Sequence, residues 1–124
     1  MKTRKNSYEN TVAWQKGMFL VKEIYLITKD FPKSKIFGLS SQMQRCVVSI
    51  PSNIAEGYRR GTASEFNHFL RFAFGSGGEL ETQLKISKML EYVSDESYKR
   101  VDNLLEEVMK LLHTMIKSRK KPIG

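Results

Sequence analysis

One cysteine, Cys46, stands in a chain of 124 residues, so no intramolecular disulfide can staple the fold. The setting this points to is reducing and cytoplasmic. Histidine is scarce as well: His68 and His113 are the only two, which leaves a metal centre few imidazoles to draw on. No apolar run approaches the ~20 residues that a membrane helix needs, because GMFLV is followed at once by Lys22 and Glu23. No basic segment leading into an apolar stretch opens the chain, so no signal peptide is expected. No strand pattern is present either.

What is present describes an ordinary globular protein, with 40% hydrophobic and 27% charged residues. A single domain over residues 1–124 is expected, burying roughly two-thirds of the unfolded surface. Acidic residues are the minority charge, 13 against 21 Lys and Arg, which gives a net charge of +8. Basic residues gather at the two ends, as Lys2, Arg4 and Lys5 and as Lys117, Arg119, Lys120 and Lys121, with Arg59 and Arg60 as a third cluster. Such clusters suit phosphate backbones, where each neutralised phosphate releases counterions. The competing account is a pair of frayed, solvated ends at residues 1–7 and 118–124. Neither tail interleaves aromatic with basic residues as single-strand binding folds do.

The periodicity predicts four helices. The first spans about Tyr8 to Lys29 and stops before Pro32. Its apolar positions cover well over half of the circumference, so it buries two sides or faces a partner chain; Trp14, Met18 and Tyr25 are the candidate contacts in an oligomer. The second runs from Leu39 to Arg60, after Phe37-Gly38 in a loop, as one helix kinked at Pro51. Gly61 ends it, and Thr62 with Glu65 forms a capping box for the third. In that third helix Phe74-Gly75-Ser76-Gly77-Gly78-Glu79 imitates a phosphate loop. The spacing of Phe66, Leu70, Ala73, Gly77, Leu80 and Leu84 runs straight through it, however, and no Gly-Lys-Ser/Thr ending follows. Small residues here predict close approach of another backbone. Ser94 caps the fourth helix, whose face is Tyr98, Val101, Leu105, Val108, Leu112 and Met115. Four helices with short links make an all-α, antiparallel up-down four-helix bundle.

Catalytic constellations fail on spacing. The one Glu-x-x-His pair, Glu65 and His68, has no counterpart, because Lys110 precedes His113 by three. Cys46 sits among Val47 and Val48 with no histidine on its helix, as a small packed residue would. No enzyme activity, metal, cofactor or small-molecule substrate is expected. The second helix does carry a polar stripe beside its apolar one. Arg45, Asn53, Glu56 and Arg60 lie on one face, and Glu79 with Gln83 on the third helix offer the opposite charge. Such a seam either locks helices or subunits in register or holds a polar ligand.

The run LSSQMQRCVVSIPSNIAEG, followed by Arg60, Phe66, Phe69-Leu70, Ala73, Gly75-Ser76 and Glu79, resembles the four helix bundle protein family, also called the 23S rRNA-intervening sequence protein family. The likeness extends from Trp14 to about Met115, and Gly77-Gly78 is a local departure, since relatives often carry a larger residue there. The resemblance implies a small bacterial bundle that assembles into a homopentamer with a central channel. Some members are encoded within insertions in large-subunit rRNA genes. A related group, accessory proteins of diversity-generating retroelements, resembles basic pentameric nucleic-acid binders. Two functions are therefore expected in competition. One is an oligomer that binds nucleic acid, structured RNA or RNA/DNA, through Arg59, Arg60, Lys117, Arg119, Lys120 and Lys121. The other is a structural scaffold, also an oligomer, that docks a protein such as a polymerase or a ribosome-associated factor.

Overall fold

The computed structural model describes residues 7–32 and 38–119, the side chains of Lys117 and Arg119 excepted. Its elements are α1 (Val12–Thr28), α2 (Leu39–Arg59), α3 (Ala63–Met89) and α4 (Asp95–Arg119), with a 3₁₀ turn at Tyr8–Asn10 before them. No strand occurs among the described residues. The expected first helix is thus divided. Thr11 accepts a hydrogen bond from the Trp14 N–H and starts α1 as its N-cap, so Tyr8–Asn10 cannot continue into it. Ser7, expected to be frayed, is buried and accepts from the Glu9 N–H; Ser118 and Arg119 continue α4. Residues 1–6 and 120–124 and the Phe37 loop position lie outside the described residues.

The helix boundaries follow from local chemistry. Gly61 ends α2 with a φ of 89°, a conformation that costs glycine little. Thr62 Oγ1 accepts from the Glu65 N–H, which is half of the expected capping box; the Glu65 carboxylate turns instead toward Arg60. Ser94 Oγ accepts from the Ser97 N–H to start α4. The end of α3 was not foreseen. Glu91 adopts a left-handed φ of 62°, and the Tyr92 N–H reaches back to the Ser87 carbonyl.

α2 runs unbroken through Pro51. The proline is buried, and its ring carbons come within 3.6 Å of where a Cβ on Gly17 of α1 would sit. The apolar stripe of α2 (Met43, Val47, Ile50, Ile54) is wholly buried against Leu70, Ala73, Leu80 and Leu84 of α3. Leu20 and Ile24 of α1 and Val101, Leu105, Val108 and Leu112 of α4 complete one core. α1 is fastened to α4 by Lys16–Glu107 at 2.6 Å and Glu23–Arg100 at 2.8 Å.

The glycines of α3 divide into two kinds. A Cβ at Gly77 would collide with Met109 of α4, so the expected close approach is real, but a side chain makes it and not a backbone. Gly75 and Gly78 meet nothing within 4 Å. Gly57 of α2 is tighter: a Cβ there would lie 2.6 Å from the Phe69 Cβ of α3. Gly57→Ala is therefore expected to destabilise the fold by about 1–3 kcal/mol despite alanine's helix preference. Gly78→Ala should stabilise it by roughly 0.5–1 kcal/mol. Urea unfolding midpoints of the two variants check both signs.

Candidate nucleic-acid interface

The polar stripe of α2 is bound up in separate local contacts. Asn53 donates through Nδ2 to the Ser49 carbonyl at 2.7 Å. Arg60 pairs with Glu56 at 2.8 Å and faces Glu65 at 3.9 Å. Gln83, buried, donates to Glu79 on its own helix at 3.3 Å. Arg45 is exposed, and no ion pair joins it or Arg60 to Glu79 among the described residues. The register gives the reason. Cys46 lies against Ser76 and Gly57 against Phe69, so Arg60 faces the start of α3 and is far along the helix from Glu79.

Polar contacts that do cross from α2 to α3 include a cluster of small groups. Cys46 Sγ donates to the Ser76 carbonyl at 3.0 Å, and the Ser49 and Ser76 hydroxyl oxygens lie 2.7 Å apart. Sequence reasoning missed Ser76, although it stands seven residues from both Phe69 and Gln83, on the face of α3 turned toward α2. Burial, followed by the negative charge of Glu79, pushes the Cys46 thiol up to about 12.

The cationic residues have a different distribution. Arg59 lies 5.7 Å over the Tyr8 ring and Arg60 lies 5.0 Å over the Phe69 ring, both at the α2–α3 turn. Arg71 is exposed on α3 without a carboxylate partner among the described residues. Lys117 and Arg119 occupy the last turn of α4; Lys120 and Lys121 lie outside the described residues. The opposite sign gathers on the second half of α3 and the first half of α4. There Glu79, Glu81, Glu91, Asp95, Glu96, Asp102, Glu106 and Glu107 outnumber Lys85, Lys88, Lys99 and Arg100. Asp102 feels this crowding: burial, then Glu81 and Glu106, raise its carboxyl above the usual range.

α1 keeps a second apolar side, as its width implied. Phe19 is 63% exposed, Tyr25 46% and Met18 44%. Trp14 is half-buried, edge-on to Tyr8 at 5.5 Å. With Met18, Val21, Val48, Pro51 and Ala55 it lines a shallow groove between α1 and α2. Glu65 and His68 are not joined by further ligands: no group of three His, Cys, Asp or Glu placed to hold a metal occurs among the described residues. No helix among the described residues is long and apolar enough to cross a membrane.

Four helices around one apolar core, carrying a charge of +8, define a small basic all-α protein. A family model described as 23S rRNA-intervening sequence protein matches residues 9–114, and the chain belongs to that family. A similar solved structure is a protein of unknown function from the S23 ribosomal protein family of Bacteroides thetaiotaomicron. It is 29% identical, with a TM-score of 0.80, over 86% of this chain and 99% of that one. No curated protein matches.

The raised Cys46 thiol makes a chemical prediction. With the neutral form favoured in the folded state, thiolate is scarce at pH 8, and iodoacetamide should label the native protein at least about 100-fold more slowly than the urea-unfolded chain. By linkage the same preference stabilises the fold below about pH 9 and is lost as pH rises from there toward 12. Labelling rates followed by mass spectrometry check the first statement and alkaline unfolding curves the second.

Proposed function

We propose that this protein is a non-enzymatic homo-oligomer, a pentamer by family resemblance, that binds nucleic acid, in particular structured RNA, through one basic end of an antiparallel up-down bundle. Helix contacts support the antiparallel arrangement. Gly17 meets Pro51 while Thr28 Oγ1 accepts from Gln44; Cys46 meets Ser76 while Gly57 meets Phe69; Phe74 meets His113 while Lys88 meets Tyr98. In that arrangement α2 and α4 finish where α1 and α3 begin. Arg59, Arg60, Arg71, Lys117 and Arg119 then fall toward one end, where Glu56 and Glu65 offset part of their charge, and the six carboxylates from Glu79 to Asp102 lie toward the other, with Glu106 and Glu107 midway along α4. This segregation of charge along the axis is the observation that carries the reading. A polyanion is drawn to one end and repelled from the other.

The oligomer takes its support from the outer side of α1. Met18, Phe19 and Tyr25 are exposed large apolar side chains on α1, and Met18 also lines the groove with Trp14 and Val48. The same face favours a second reading, a scaffold on which a partner protein docks. The two differ in what α1 touches.

Both parts are open to measurement. RNA affinity should fall with salt along a log–log slope of about −3, as neutralisation of about four phosphates by each bound protomer requires. Removing residues 117–124, or making Arg59→Gln with Arg60→Gln, should flatten that slope. A slope near zero, unchanged by either alteration, refutes nucleic-acid binding. Phe19→Glu should reduce the mass in light scattering to that of the 14.3 kDa chain. An unchanged oligomer leaves α1 free and favours the scaffold.

A further inference from the structure

His68 and Phe72 are exposed on α3 near its start, with the half-buried Phe69 beside them on the side toward α2. The His68 and Phe72 ring centroids are 4.5 Å apart with the planes at 68°; Phe69 lies 5.7 Å from His68 and 5.8 Å from Phe72. Spacings of three and four place them on neighbouring turns of one helix. Phe69 has work inside the protomer, since it covers Gly57 and lies under the Arg60 guanidinium. Phe72 has none. It is 51% exposed, and its ring contacts are with His68 and Phe69. One turn beyond it Gly75 is exposed, and a Cβ there would meet nothing within 4 Å among the described residues. Glycine weakens a helix, and unlike Gly57 and Gly77 this one relieves no contact among the described residues.

We propose that this face is a stacking platform for an unpaired nucleobase, with Phe72 under the base, His68 edge-on beside it, and Arg71 and Arg60 (the latter also paired with Glu56) toward the flanking phosphates. Edge-on contacts with its neighbours hold the Phe72 ring in place, so little side-chain freedom is lost when a base stacks on it. Every base offers a π-face, so stacking here is tolerant of sequence. The charge selects the occupant: exposed arginines beside exposed rings match a polyanion carrying flat bases. The inference rests on the nucleic-acid reading above and narrows it to loops, bulges and single strands. A duplex keeps its bases inside and meets the arginines alone.

The test uses the full-length protein and two fluorescein-labelled probes, an oligouridine of about 12 nucleotides, within the usual span of single-strand sites, and an RNA duplex of equal length. Phe72→Ala should weaken oligouridine binding about tenfold, the loss expected for one stacked base, and change duplex binding by less than about twofold. Phe72→Trp should restore binding, and added oligouridine should quench its fluorescence beyond any change at Trp14 in the wild type. Arg59→Gln with Arg60→Gln should weaken both probes. If Phe72→Ala binds oligouridine as tightly as the wild type while the arginine variant loses both probes, the platform is refuted and nucleic-acid binding stands. If the wild type binds neither probe, both ideas fall. If Phe72→Ala changes the mass of the oligomer, the face is a subunit contact and the platform is again refuted.

Discussion

The close approach of α2 and α3 is the constraint on which the rest of the structure depends. It is set where Gly57 has no side chain and Phe69 occupies the space. That contact brings Met43, Val47, Ile50 and Ile54 into full burial against the facing side of α3. It also puts Cys46 and Ser49 within hydrogen-bonding distance of Ser76. Three small groups replace the bulk that would otherwise hold the helices apart. The polar atoms they bring inside are partnered, so their burial costs little. Tight packing at this seam also explains how α3 carries its glycines: the core side of the helix is held by Leu70, Leu80 and Leu84, and a flexible backbone is confined by its neighbours.

α1 and α4 close the other side of the core by a different device. Gly17 lets the Pro51 ring of α2 approach α1, and a ring with no N–H to satisfy is buried without leaving a donor unpaired. Proline in the middle of a helix is usually a fault. Here it presents a flat apolar surface where the helices cross. The ion pairs from Lys16 and Glu23 to α4 lie at the rim, where they help set the pairing of helices more than they stabilise it.

Much of the fold was legible because each helix repeats its apolar residues in steps of three and four, and the stop signals at Gly61, Thr62 and Ser94 are local. The periodicity through Gly75–Gly78 outweighed the likeness to a phosphate loop, and α3 is continuous there. The end of α3 was illegible because a glutamate, Glu91, takes the left-handed position that glycine usually holds. The division of the first helix was missed because Thr11 is a weaker signal than the apolar period running across it. The polar seam was half-legible. Spacing identified which residues share a face of one helix, but it cannot give the offset between two helices. That offset separates Arg60 from Glu79 and brings forward Ser76, a residue whose own chemistry is unremarked in the sequence.

The uneven charge along the proposed bundle gives the molecule a direction. A ring built with all protomers pointing the same way would have a positive face and a negative face. Two such rings repel when like faces meet and attract when unlike faces meet, and an attractive head-to-tail contact does not close on itself. In dilute buffer rings of the proposed kind would stack into columns. A polyanion on the positive face removes the surface that the next ring would use, so bound nucleic acid would cap the column as well as occupy the site.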